Sequence, residues 1–443
     1  MKWAVVGGGI AGLAHGFALL SRGHEVTVFE AAPRSGGNIR TERDGGYSVE
    51  WGPNGFLDNV PATFEFVRRL GIGESLLCSS DAARVRWLFR RGRLLRLPES
   101  PPAFFASPLL SPFGRARVLL EPLARGRPRH DETVHAFASR RIGREAADVL
   151  VSAMVSGVFA GDARRLSLRS AFPKMHAMEA AHGSLFRALI ARRRAGTARG
   201  GPAGPGGVLT SFRGGMEDLV AAFAARLGER LRLSTPVTGL SRRRDGWVLD
   251  GPGEEAEGVV LACPAPVTSR LLRPLAPEAA ARLGRVRGAS IAVVGLAFDE
   301  AALGGPPAGF GFLAPPGEGL RILGCLFDSS VYPGHRAPPG KVLLRAMIGG
   351  ALDPGAVDLD DGALLATARA DLRKAMGLRA DPERHWIFRF PRGIPQYEPG
   401  HGLRLAEAAR MLAPWPTLRL AGNSYRGISV NSCLEEAAPL LPA

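Results

Sequence analysis

At 443 residues, 46% hydrophobic and 22% charged, the chain has room for two to three domains around a sizeable core, which excludes a disordered or fibrous protein. Lysine and arginine outnumber acids by 57 to 41, a formal charge of +16 carried almost wholly by arginine. The basic residues are not interleaved with stacking aromatics, which argues against nucleic acid as a partner and leaves an anionic membrane surface as the better match.

The longest uncharged region, 301–317, is broken by Pro306, Pro307, Pro315 and Pro316, so no stretch reaches the roughly 18 apolar residues that cross a bilayer. A strand begins almost at Met1, leaving no room for a cleavable leader. Cys78, Cys263, Cys325 and Cys433 are far apart and form no C-x-x-C, against zinc, iron–sulfur or a disulfide framework and in favour of a reducing compartment. The expected location is therefore cytoplasmic, without a membrane span.

In chain order, Trp3-Ala4-Val5-Val6 is a short apolar run that predicts a buried parallel strand. Gly7, Gly9 and Gly12 follow as G-x-G-x-x-G, and Leu13, Phe17 and Leu20 continue at helical spacing. The first glycine permits a tight turn, the second admits a pyrophosphate, and the third lets helix and strand pack closely. Free N–H groups and the dipole at that helix start favour an anion. A second strand, 25–29, delivers Glu30, the acid expected about 20 residues on to accept hydrogen bonds from a ribose. Arg34-Ser35-Gly36-Gly37 then favours FAD over NAD; its bland alternative is a plain surface turn.

Residues 47–50 alternate and lead into a turn at Gly52-Pro53-Asn54-Gly55, which can bring backbone against a flat ring. A helix is predicted at 64–70, ended by Gly71, and two strands joined by a basic turn at 85–94. From 100 to 194, proline-rich pieces alternate with helical ones, and Phe104-Phe105 and Leu109-Leu110 look exposed beside Arg115, Arg117, Arg125 and Arg127. Such a region suits a helical subdomain capping a pocket, or an amphipathic membrane surface. Residues 192–207, rich in Arg, Gly and Pro, read as a flexible loop. Strands are predicted at 231–237, 246–250 and 258–264, and a β-rich block at 291–298, 309–313, 322–328 and 342–348. A last strand at 418–420 runs through Gly427-Ile428-Ser429 into a final helix. The fold class expected is α/β, a discontinuous Rossmann-type domain (1–80, 208–265, 400–443) with an inserted β-rich domain (81–99, 266–399) and a helical subdomain (100–207).

Four pieces are more specific than the glycine loop: Gly52-Pro53-Asn54-Gly55-Phe56, Gly157-Val158-Phe159-Ala160-Gly161-Asp162, Gly309-Phe310-Gly311-Phe312-Leu313, and Ile394-Pro395-Gln396-Tyr397 with Gly400-His401. In this order, and over nearly the whole chain, the sequence resembles the oxygen-dependent protoporphyrinogen oxidases of the monoamine oxidase-like flavoprotein superfamily. The resemblance implies FAD contacts at Gly7, Gly8, Gly9, Ile10, Ala11, Gly12, Glu30, Arg34, Gly36, Gly37, Asn38, Gly52, Pro53, Asn54, Gly55, the backbone of Val237, and Ile428, Ser429 and Val430. It places substrate contacts on Arg86, Phe310, Leu313 and Met347, with Arg84 and Arg90 as alternatives to Arg86 on one strand face. Some members carry a basic residue where Asn54 stands here.

The implied activity is oxidation of protoporphyrinogen IX to protoporphyrin IX in tetrapyrrole biosynthesis, with FAD as cofactor, oxygen as acceptor, and no catalytic side chain or metal. It also admits peripheral membrane attachment and a homodimer. Competing readings are a coproporphyrinogen III oxidase, an amine oxidase or desaturase, and a non-catalytic binding protein of the same fold. Several marked residues have bland alternatives. Phe310 and Leu313 read equally well as core, Met347 as a gap-filler, His401 and Tyr397 as buried hydrogen-bonding groups, and Asp162 as a cap.

Overall fold

The computed structural model describes residues 1–124, 126, 130–194, 207–244 and 246–442. Arg125 and Arg127, and most of the expected loop at 192–207, lie outside the described residues.

A five-stranded parallel sheet has the order Leu231–Arg232, Glu25–Phe29, Lys2–Val6, Gly258–Leu261, Leu418–Leu420. Its strands come from the start, middle and end of the chain, the discontinuous α/β arrangement expected. Val5 is in register with Val28 on one side and Val260 on the other, and all three are buried. Covered on both faces, these strands read as unbroken apolar runs. Helices Ile10–Ser21, Glu217–Leu227 and Val430–Ala437 pack one face through Leu13, Phe17, Phe223 and Leu434. The other face meets Trp247 and Leu249 of a small antiparallel sheet and helices Ala265–Leu272, Pro277–Leu283 and His401–Leu412.

A seven-stranded sheet runs Arg384–Gln396, Arg287–Asp299, Lys341–Gly349, Ile322–Leu326, Gly311–Leu313, Arg86–Arg90, Arg93–Arg96. It is antiparallel except where Gly311–Leu313 lies parallel to Arg86–Arg90. Helix Asp361–Met376 covers one face through Leu364, Ala368 and Leu372, packed on Val294, Leu296 and Leu344. The opposite face, carrying Val293 and Leu343, meets Tyr47 and Val49 of strand Tyr47–Glu50. That contact joins the two sheets, and the site lies along the seam.

Helices Val134–Ile142, Ser152–Phe159, Pro173–His182 and Leu185–Arg194 form the helical region; the π-turn Ala147–Val151 precedes the second of them. Leu109 and Leu110, expected at the surface, are buried with Leu88, Val149 and Ala153, because this region packs against the end of the seven-stranded sheet. The strand expected at 231–237 stops at Arg232: Ser234 takes a positive φ of 50°, and Thr235 turns its N–H to the Glu30 carbonyl at 2.8 Å. Strand Arg384–Gln396 was not expected, since Pro391 and Gly393 interrupt its pattern. It lies at the sheet edge, where a missing N–H does no harm. No helix among the described residues is long and apolar enough to cross a membrane.

Candidate flavin and substrate site

The glycine loop separates into glycines the fold itself requires and one it does not. Gly7 has φ 109°, and a Cβ there would stand 2.5 Å from the Ala262 carbonyl oxygen. A Cβ on Gly12 would run into the Gly7 carbonyl oxygen, so the third glycine sets how closely helix and strand approach. Gly9, by contrast, has an ordinary φ of −71°, and a Cβ on it would find only the Gly37 Cα, 3.9 Å away. The protein's own packing leaves the space before Gly9 open. Leu13 is bonded back to the Gly9 carbonyl at 2.9 Å. The N–H groups of Ile10, Ala11 and Gly12 precede that bond and have no acceptor within the helix.

Around this opening the chain closes in layers. The Glu30 carboxylate accepts the Gly8 N–H at 2.6 Å and the Ala32 N–H at 2.9 Å, which fixes it beside the loop. Gly36 donates its N–H to the Gly8 carbonyl at 2.8 Å. Arg34 donates to the carbonyls of Ser35, Gly37 and Ile39 and lies 5.6 Å from the Trp51 ring, so it staples the 35–39 turn from within. Asn38 reaches Gly393 of the second sheet at 3.0 Å. Val237 is buried in one cluster with Val6 and Phe29. From the chain's end, Gly422 packs on Ala11, while Ser429 caps the final helix by accepting the Ser432 N–H at 3.1 Å. Asn431 in that helix donates to the Leu57 carbonyl at 2.8 Å, which ties the helix start to strand Phe56–Leu57, directly after the 52–55 turn.

That turn is held from the seven-stranded sheet. Arg345, 1% exposed, donates to the carbonyls of Glu50 and Gly52 at 2.8 and 2.9 Å, and its guanidinium pairs with Asp328 at 2.8 and 3.2 Å. The Tyr332 hydroxyl donates to the Asn54 carbonyl at 3.2 Å. The Asn54 amide is buried with neither its nitrogen nor its oxygen partnered. Beneath the turn, Glu50 accepts from Thr41 and the Met216 N–H and lies 3.7 Å from Arg336. Burial pushes its carboxyl up to about 7 despite these partners.

On the sheet face toward this turn, Leu313, Gly324, Met347, Val293 and Phe388 are successive partners across five strands. Met347 packs near Trp51, Phe390 and Ile394, and Leu313 lies over Gly157 toward the helical region. One row away, Arg86 is in register with Gly311. Its guanidinium is 5.5 Å from the Phe310 ring, and burial lowers its pKa. Phe310 shares a cluster with Tyr332, and so reaches the Asn54 turn. Of the alternatives, Arg84 is not on the strand at all: it closes the turn Asp81–Arg84 and pairs with Asp81 at 3.2 Å. Arg90 shares the strand with Arg86 but pairs with Glu318 and faces Glu145.

Tyr397 donates its hydroxyl to the Asn423 carbonyl, and His401 stacks on it at 4.3 Å with Nε2 at 3.0 Å from the Tyr425 carbonyl. Both are framework groups, as is Asp162, which accepts the Arg164 N–H at 2.8 Å.

A family profile described as flavin containing amine oxidoreductase matches residues 10–438. The chain belongs to that family. The oxidoreductase is 35% identical over 473 residues to a protoporphyrinogen oxidase of Bos taurus, with 97% of this chain and 95% of the relative covered. It is 30% identical over 451 residues to a coproporphyrinogen III oxidase of Bacillus subtilis (strain 168), with 98% and 95% covered. The crystal structure of an Exiguobacterium sp. 255-15 protein, named as a candidate protoporphyrinogen oxidase, superposes with a TM-score of 0.85 at 26% identity, covering 99% of this chain and 97% of that one. Cyclohexylamine oxidase from Brevibacterium oxydans IH-35A shares the fold at 18% identity, with a TM-score of 0.71 over 99% and 98%.

The oxidoreductase is FAD-dependent, and its residues suit that cofactor. An open space before Gly9, helix N–H groups with no acceptor within the helix, a fixed Glu30 and a buried amide without a partner among the described residues lie along one seam. Sequence reading missed Arg345, Asp328, Tyr332 and Arg336, which support the site from behind. One signal was available: Arg345 stands inside the apolar run 342–348, where a buried charge demands a partner.

Proposed function

We propose that this flavoenzyme oxidises protoporphyrinogen IX to protoporphyrin IX. The reaction removes six hydrogens in three two-electron steps, each passing two electrons and two protons to oxygen to give hydrogen peroxide. When bound, FAD accepts the hydride equivalents, and the protein's share is orientation and electrostatics. The observation that carries the reading is the apolar face through Leu313 and Met347, with the half-buried Arg86 beside Phe310 at its margin. A porphyrinogen is a large apolar macrocycle with carboxylate arms. The face suits the macrocycle, and an arginine suits a propionate as a charge-assisted, often bidentate partner. Arg86 stands beside Phe310 at the margin of that face, whereas Arg90 pairs with Glu318 and faces Glu145.

The Bacillus subtilis relative supports a second reading, coproporphyrinogen III as the preferred substrate. Steady-state assays on both porphyrinogens, read by porphyrin fluorescence, decide the matter. A higher kcat/KM for protoporphyrinogen IX supports the first reading, a higher one for coproporphyrinogen III the second, and no porphyrin from either rejects both.

Peripheral attachment at the cytoplasmic face of an anionic membrane is part of the proposal. It is supported by Phe113 and Leu123, 89% and 69% exposed, with Leu120 between them in sequence and Arg115 and Arg117 alongside. All four cysteines are free thiols, in keeping with a reducing compartment.

A further inference from the structure

The 50–55 stretch leaves strand Tyr47–Glu50, and three of its carbonyls are bonded across the seam. Those of Glu50 and Gly52 accept from Arg345, and that of Asn54 accepts from Tyr332. All three are held by groups from the seven-stranded side of the seam. Arg345 is fixed in turn by the two oxygens of buried Asp328. Gly52 and Gly55 let the stretch lie flat: a Cβ on Gly52 would strike the Asn38 carbonyl, and one on Gly55 would come within 2.8 Å of the Tyr332 hydroxyl. The backbone of Asn54 is thus pinned, yet its amide, in a residue 8% exposed, has no partner for donor or acceptor. Buried amides are almost always satisfied, so an orphan on a backbone held at three carbonyls points to a ligand. A carboxamide offers one acceptor and a two-proton donor. That pair complements the mixed donor and acceptor edge of an isoalloxazine better than the all-donor pyrroles of a porphyrinogen.

We propose that Arg345 is a positioning residue for the flavin: through the Glu50 and Gly52 carbonyls it sets the height of the turn, so that the Asn54 amide meets the ring. The pair then transmits any shift of the seven-stranded sheet to the cofactor's environment. This rests on the family's flavin chemistry and is independent of which porphyrinogen is oxidised.

The test uses FAD-loaded protein and four variants: Asn54→Ala, Tyr332→Phe, Arg345→Lys and the double Asn54→Ala/Arg345→Lys. Lysine keeps a charge opposite Asp328 but cannot make both backbone bonds and the bidentate pair together. The readouts, taken without substrate, are the visible spectrum of bound flavin, its midpoint potential and FAD affinity. Asn54→Ala and Arg345→Lys are expected to shift spectrum and potential in the same direction and to weaken FAD by about tenfold each. The double variant is expected to be no worse than Asn54→Ala alone. Tyr332→Phe, which removes one hydroxyl, is expected to show the same signature more weakly and serves if Arg345→Lys fails to fold. Additive losses in the double variant, or an unshifted spectrum in both Arg345→Lys and Tyr332→Phe, overturn the positioning role. A colourless wild-type protein overturns the flavin assignment itself.

Discussion

Gly9 and Gly12 occupy one motif, but the structure gives them different work, and substituting each tests that directly. At Gly12 a methyl group collides with the Gly7 carbonyl oxygen and stands 3.0 Å from its carbon, both backbone atoms that cannot swing aside. Overpacking of this kind destabilises by about 1–3 kcal/mol or more, so Gly12→Ala should lower the melting temperature of FAD-free protein. At Gly9 the backbone is already extended and the nearest atom to a new Cβ is 3.9 Å away. Gly9→Val should therefore melt like wild type when both are stripped of flavin. Its branched side chain would, however, fill the space a pyrophosphate needs to reach the helix N–H groups. Losing two charge-assisted bonds of about 1.5–3 kcal/mol each removes about 3–6 kcal/mol of binding, or about 10² to 10⁴ in Kd. Flavin content by visible absorption, with thermal melting of the apo forms, measures both halves. A yellow Gly9→Val protein with wild-type FAD affinity would refute the reasoning, as would one that is colourless because it is unfolded.

Other perturbations probe the remaining parts of the account. Arg86→Ala should raise the porphyrinogen KM by about ten- to a hundredfold, the worth of one hydrogen-bonded charge, with FAD content unchanged; unaltered kinetics would move the propionate grip elsewhere. Glu50, held near 7 in the fold against an ordinary 4.5, keeps its proton in the native state over that interval, so stability falls as pH rises through it. Glu50→Gln lacks that fall: its melting temperature should gain on wild type between about pH 5 and pH 8, by up to about 3 kcal/mol of stability, and a constant gap would contradict the assignment. Phe113→Asp should weaken sedimentation with anionic vesicles by at least about tenfold while leaving turnover unchanged, given about 1.5–3 kcal/mol for one large apolar side chain; undiminished sedimentation would remove the exposed helical surface as the attachment point.

Much of the nucleotide half was legible because its signals are local. A glycine loop between an apolar strand and an amphipathic helix has few alternative structures, and Glu30 follows at a spacing that the strand geometry dictates. The second sheet was legible as strands, since runs such as 342–348 are apolar throughout, but not as a site wall. Arg345 was visible there as an anomaly, while its partners Asp328 and Glu50 lie 17 and 295 residues away in sequence. Nothing local connects them. Leu109-Leu110 shows the converse: an apolar pair flanked by arginine and proline has the texture of a surface patch, and only the packing of the helical region against Leu88 buries it. That Arg84 closes a turn before the strand, and that Arg90 pairs with Glu318, depends on where a strand begins and on which acids fold back to meet it, and both are set by tertiary structure.

The most direct measurement is an anaerobic titration of the purified yellow protein with protoporphyrinogen IX, following flavin absorbance and porphyrin fluorescence together. The account predicts that the flavin bleaches as porphyrin appears, with three flavins reduced for each porphyrin formed, and that admitting oxygen restores the colour. Flavin that stays oxidised in excess porphyrinogen, in protein that retains its FAD, would contradict it.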